Sequence, residues 1–244
     1  MTKPTLSITE LRRSAEADLT QNVLPFWTRH GFNAKGALIG IVANDLRVFE
    51  NIPQHSVLCA RILWTFAEAQ RLVPDERWLA TGRKALALIN NGFWDGENGG
   101  VYWSLNPDGS ALSDRKQVYA QAFTMYGLVS WHHATGETAA LERAKELFEI
   151  LEKRARDFEK GGYIEALSRD WGTLDDMRLS DKDLNSPKSY NTMLHVLEAY
   201  TALLRAWPEA RVREALKTLL EHLLDKIVYA QPFPHCELFF DMDW

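Results

Sequence analysis

The chain has 244 residues, a length that fits one or two domains, and its 46% hydrophobic and 25% charged residues place it among soluble globular proteins rather than disordered ones. Its 28 basic and 33 acidic residues give a net charge of −5 and are interspersed throughout, so no basic stripe is available for a phosphate backbone and nucleic acid is excluded as a partner. No apolar stretch approaches the ~20 residues that span a bilayer, and the N-terminal MTKPTLSITELRR lacks an apolar signal core, which excludes a membrane partner and predicts a cytoplasmic protein.

Taken in chain order, apolar residues recur at spacings of three and four over Leu11 to Trp27, Val57 to Leu72, Arg77 to Ile89, Val118 to His132, Ala139 to Phe158, Tyr190 to Ala206 and Val212 to Val228, which predicts about seven helices. From the second onward they pair across the short turns VPDER, ATGET and WPEAR, where Pro or Gly stops one helix and an acidic residue suits the start of the next. Between pairs lie FWDGENGGVYWSLNPDGS, EKGGYIEALSRDW and QPFPHCELFFDMDW, whose Gly or Pro followed by alternating apolar and polar residues predicts short β-hairpins. The segments RILWTF from Arg61, QAFTMY from Gln121 and HVLEAY from His195 align without gaps at intervals of 60 and 74 residues, each with an aromatic five positions after the polar residue. Such a repeat predicts an all-α helical toroid, with Arg61, Gln121 and His195 at one level of successive first helices. No linker, charge block or low-complexity tract interrupts it, so one domain is expected over 1–244. Only Cys59 and Cys236 occur, too few for a disulfide framework or a four-cysteine zinc site, and both read as packing residues.

His195 lies in the apolar helical segment NTMLHVLEAY, with Asn191 one turn before it and Glu198 nearly one turn after. Such neighbours can fix an imidazole tautomer for general acid or base work, and they also suit a buried, hydrogen-bonded core histidine. Arg61, flanked by apolar positions in LCARILWTF, requires an anionic or polar partner, either a ligand or a structural salt bridge. Trp94 and Trp103 in FWDGENGGVYW suit a packed hairpin first and a sugar-stacking wall second, and Asp170, Trp171 and Asp183 a site or a solvated loop. His132 and His133, adjacent on a helix, point about 100° apart and cannot share a metal, while His235 and Cys236 lack partners at useful spacing. No GxGxxG, P-loop, HExxH or GxSxG motif is present, and no metal or cofactor is called for.

GGVYW, KQVYAQAFTMYGLVSWHHATGETAALERAKELFEILE, GGYIEALSRDW, KSYNTMLHVLEAYTALLRAW and LFFDMDW together resemble the N-acylglucosamine 2-epimerase superfamily, most closely its cellobiose 2-epimerase branch, from about Gln54 to Trp244. The resemblance implies a barrel of six α-helical hairpins that epimerises or isomerises a reducing-end sugar such as cellobiose, mannose or N-acetylglucosamine through an enediolate, without a redox cofactor. Residue by residue, it makes Arg61 the arginine on the C1 and C2 oxygens. Tyr119 and Asn191 become sugar contacts, His195 the histidine that assists ring opening or orients substrate, and Asp183 an acidic loop residue near the sugar. Trp103 is added to these from the reading of its own segment, as a sugar-stacking candidate. Two departures stand out: HGFNAKGALIGIVANDLRVFENIPQ lacks the expected D-x-x-x-G-G-F-Y-G pattern, and the family's two principal proton-transfer histidines would lie beyond Trp244. The sequence therefore predicts an incomplete toroid with low activity alone and an apolar last helical pair suited to self-association. The competing readings are a non-catalytic carbohydrate-binding or protein-interaction module and an unrelated toroid hydrolase, whose paired carboxylates do not stand out here.

Overall fold

A computed structural model describes residues 7–49 and 51–244. Helix α1 (Ile8–Asp18) starts at a capping box in which the Ser7 hydroxyl accepts the Glu10 amide while the Glu10 carboxylate accepts the Ser7 amide. It runs through a π-helical turn into α2 (Leu24–His30), so that the first predicted helix is continuous in space. Three helical hairpins follow: α3 (Ser56–Leu72) with α4 (Glu76–Leu88), α5 (Val118–Thr135) with α6 (Thr138–Arg154), and α7 (Tyr190–Ala206) with α8 (Ala210–His222). Asp75 caps α4 through the Arg77 amide, and Gly136, with φ 75°, ends α5 in the left-handed conformation that a side chain would resist. The fifth predicted helix, expected to reach Phe158, stops at Arg154 because the Asp157 side chain accepts the amides of Glu159 and Lys160 and turns the backbone away.

The hairpins succeed one another as in an α/α toroid, α3 against α5 and α5 against α7, with α4, α6 and α8 each behind its own partner. Central α5 is buried on nearly every side, which explains its almost unbroken apolar sequence. The core is continuous through the three hairpins and includes Phe66, Trp78, Trp131, Phe148 and Tyr200. Cys59 lies within it, burial pushing its thiol well above the ordinary value, and Cys236 packs against it half-buried.

The predicted connector hairpins are only partly present. Ile41–Val42 pairs Val48–Phe49, Ser104–Leu105 pairs Ala111–Ser113, and Val228–Tyr229 pairs His235–Cys236 within their connectors. The more consequential pairings instead stitch the start of each helical hairpin to the segment after its end: Gln54 opposite Leu105, Lys116 opposite Leu167, and Lys188 opposite Phe240. The exposed surface is 13,654 Å², about a quarter more than the ~11,000 Å² that size scaling gives a compact chain of this mass. The excess fits an open row of hairpins.

Candidate active site

The three stitching strands set a common register for the inner helices. Counting from Gln54, Lys116 and Lys188, the third residues are Val57, Tyr119 and Asn191, the seventh Arg61, Phe123 and His195, and the tenth Trp64, Tyr126 and Glu198. Steps of three and four residues keep these rows on one face of each helix. The equivalence of Arg61 with His195 read from the sequence therefore holds, but the middle member is Phe123, not Gln121. Gln121 is buried and occupied elsewhere, accepting the Val101 amide at 2.7 Å and donating to the Val101 carbonyl at 2.8 Å, so it pins the 93–101 turn to α5.

Arg61, Phe123, His195, Trp64, Tyr126, Glu198 and Thr65 line one cleft of about 400 Å³. The Arg61 guanidinium lies 4.7 Å from the centre of the Phe123 ring, and no carboxylate among the described residues stands within ion-pair distance of it. The structural salt bridge considered for Arg61 is thus replaced by a cation–π contact that leaves its N–H fork open to the cleft. His195 packs 4.4 Å from Phe123 and edge-on to Tyr119 at 4.9 Å. Its Nδ1 lies 2.6 Å from the Glu198 carboxylate, which holds the proton on Nδ1 and leaves Nε2 as the reactive nitrogen. Asn191 takes no part in orienting the ring. Burial raises the Tyr119 hydroxyl pKa, so that this group is a neutral hydrogen-bonding phenol.

Asn191 and Asp183 line an adjoining cavity of about 350 Å³ with Glu165, Arg178, Ser189 and Tyr190. Its outer wall is the 172–187 loop, held by Gln117 donating to the Met177 carbonyl at 3.0 Å and by Arg115 donating to the carbonyls of Asp176 and Arg178. Asp183 accepts from the Ser180 amide and hydroxyl, both at 2.9 Å, through one carboxylate oxygen, leaving the other free. At the floor, Glu165 is buried and accepts the hydroxyls of Ser189 and Thr192, each at 2.7 Å; burial, reinforced by the nearby Asp183 charge, outweighs these hydrogen bonds and raises its pKa.

Trp103 lines neither cavity. It stands edge-on to His55 at 5.9 Å with the Arg115 guanidinium 5.8 Å from its ring, and Trp94 lies under Arg143 at 4.0 Å, so both serve as packing at the strand ends. His132 and His133 have ring centres 6.0 Å apart, and His235 is stacked on Tyr229. The described residues contain no group of three or more metal-ligating side chains. The cleft residues not singled out from sequence are Trp64, Thr65, Phe123 and Tyr126. Trp64 and Tyr126 stack at 5.8 Å with 23° between planes, and their position one helical turn beyond the Arg61 row was the available signal.

The chain that carries this cleft is similar in sequence and fold to known sugar-converting proteins. The cellobiose 2-epimerase of Bacteroides fragilis is 40% identical over 235 residues, covering 96% of this chain and 60% of that protein. The solved cellobiose 2-epimerase of Spirochaeta thermophila superposes with a TM-score of 0.89 at 36% identity, covering 99% of this chain and 60% of that one. A D-mannose isomerase structure, at 19% identity and a TM-score of 0.75, shares the fold. The chain spans about 60% of the length of the cellobiose 2-epimerases it matches. Residues 40–244 match the N-acylglucosamine 2-epimerase (GlcNAc 2-epimerase) family along their whole extent, and the chain belongs to that family.

Proposed function

We propose that this chain forms the substrate-anchoring wall of a sugar 2-epimerase or aldose–ketose isomerase acting on a reducing-end sugar such as cellobiose, mannose or N-acetylglucosamine. The observation that carries this reading is the unpaired Arg61 fork beside the Glu198-oriented His195 in one cleft. Loss of the C2 proton from an open-chain aldose places negative charge on the C1 and C2 oxygens, and a guanidinium without a carboxylate partner is available to stabilise it. His195 Nε2 can take the C1 hydroxyl proton and return it to the ring oxygen during ring opening and then, neutral again, accept the C2 proton and exchange it with solvent, while Glu198 steadies the imidazolium. Asn191, Tyr119 and Asp183 supply hydroxyl contacts, and the Trp64–Tyr126 stack offers an apolar face to a sugar ring. A cytoplasmic location suits the two free thiols.

The test is incubation of the chain with each sugar in deuterated water, following C2 by NMR. Deuterium at C2, or 2-epimer or ketose product, lost in Arg61→Ala and His195→Ala, is the expected result. Sugar binding without exchange in any of them would assign the cleft to the carbohydrate-binding reading, and neither binding nor exchange would overturn both.

A further inference from the structure

The chain builds one turn three times. In Asn33–Leu38, Asp95–Val101 and Asp157–Tyr163 the first side-chain oxygen accepts two amides of its own turn. Gly36, Gly99 and Gly161 are left-handed and donate to the carbonyl of that first residue, and an antiparallel bridge closes each turn: Phe32 with Leu38, Trp94 with Val101, Arg156 with Tyr163.

On two of these turns lies an indole from the chain itself. Trp171 packs where a side chain on Gly100 would be, donates Nε1–H to the Asn98 carbonyl at 2.9 Å, and has the Lys116 ammonium 5.8 Å from its ring. Trp244 repeats the arrangement on Gly162, donating to the Lys160 carbonyl at 2.8 Å with Lys188 at 4.6 Å. Both tryptophans end a tight turn, after Ser168 and Asp241, in left-handed backbone with φ of 68° and 77°.

The first copy has the bed without the ring. Its tight turn after Asn106 ends at Gly109, φ 90°, with open space where a side chain would begin. Ala37 replaces the second glycine and Gln54 the lysine. A cavity of about 250 Å³ occupies the place, lined by Lys35, Ala37, Leu38, Phe49, Gln54 and Pro107 among others. Lys35, Ala37 and Gln54 are the counterparts of the Asn98, Gly100 and Lys116 that hold Trp171.

We propose that this cavity is an indole niche left vacant by the repeat and that it binds a free 3-substituted indole. The ring lies on Ala37 and Gln54, its N–H donates to the Lys35 carbonyl, and C3 faces Gly109, where the main chain would have carried a tryptophan. The site lies at the first connector, apart from the Arg61–His195 cleft, and does not depend on the chain's activity toward sugars.

Titration of the ¹⁵N-labelled chain with 3-methylindole tests it. Saturable shifts centred on the amides of Lys35, Ala37, Leu38 and Gln54 are expected, with 1,3-dimethylindole, which lacks the N–H, binding several-fold more weakly through loss of one hydrogen bond. Gly109→Trp should supply the ring in cis, abolish the titration and raise Tm, whereas Gly109→Asn, which tolerates a left-handed backbone, should leave binding intact. Absence of saturable shifts, shifts centred on Trp64 and Tyr126, or equal affinity for the two methylindoles would each overturn the proposal, whether or not Gly109→Trp folds.

Discussion

Arg61 and His195 occupy the same register position on α3 and α7 and lean on one side chain between them, the Phe123 ring of α5. The spacing depends on how closely the inner helices approach, and Gly127, one turn beyond Phe123, sets it: a Cβ there would come within 2.8 Å of the Ala60 carbonyl, the residue beside Arg61. Glycine thus lets backbone meet backbone at the point where the cleft is formed.

Gly127→Ala should therefore wedge α3 from α5. The expected cost is about 1–3 kcal/mol of stability from overpacking, with a larger fractional loss of sugar affinity than a surface substitution of equal cost. Denaturant unfolding and a binding titration on the same sample check it, and an unchanged midpoint would show that the helices can separate freely.

Asp95 and Lys116 form a fully buried ion pair at 2.8 Å, and Arg169 reaches the same carboxylate at 3.2 Å. Burial alone would raise the Asp95 carboxyl, but the hydrogen bonds from Arg169, Lys116 and two backbone amides outweigh it and hold the group well below the usual carboxylate range. Folding favours the ionised form, so this stabilisation is complete above the unfolded value of about 3.9 and disappears as pH falls below it. Asp95→Asn, which strands the Lys116 ammonium, should cost about 3–5 kcal/mol at pH 7. The deficit against wild type should shrink on acidification below pH 4, measured by urea unfolding across pH.

Glu165 has the opposite sign. With its folded pKa raised by burial, the folded state holds its proton more tightly than the unfolded chain, and stability falls as pH climbs from about 4.3 through the folded value. Glu165→Gln keeps partners for Ser189 and Thr192, whose hydroxyls can accept as well as donate. Its Tm relative to wild type should rise between pH 4 and pH 8. A flat difference would mean the carboxyl is ordinary in the folded state.

Leu220, Leu224, Val228 and Tyr229 are exposed along α8, the π-helical turn that follows it and the strand after that, Leu224 at 59%. Contiguous apolar surface of this kind favours association. Concentration-dependent sedimentation, reduced in Leu224→Glu, is the expected behaviour, and a monomer at all concentrations would count against it.

Much of this was legible in the sequence because it depends on period. The helices follow apolar spacing, and Arg61 and His195 stand out as polar positions in apolar runs. The misplacement of Gln121 has a definite cause: matching letters at a five-residue spacing slid the middle repeat by two residues, whereas the true register comes from two-residue strands at Gln54, Lys116 and Lys188, too short to alternate. Lys116 and Lys188 were invisible for the same reason, since a lysine before a helix reads as a solvated charge until its partner, Asp95 or Asp157, is brought from a connector 21 or 31 residues away. The first copy of the turn, in HGFNAKGALIG, also hid behind substitutions, Asn for Asp and Ala for Gly, that keep its hydrogen bonds and change its letters.

The Glu198 carboxylate gives the last prediction. It touches no other residue of the cleft by hydrogen bond, and its effect on chemistry passes through His195 Nδ1. Glu198→Gln retains an acceptor oxygen there, so ring orientation persists while support for the imidazolium weakens; Glu198→Leu removes both. If His195 moves protons at the sugar, C2 exchange by the chain should fall modestly in Glu198→Gln, further in Glu198→Leu, and by about 10²–10⁴ in His195→Ala, the range ordinary for a general acid or base. A merely structural Glu198 would lower Tm in both variants without this graded loss of exchange. Equal exchange in wild type, Glu198→Gln and Glu198→Leu would therefore show that the 2.6 Å contact orients nothing that reacts.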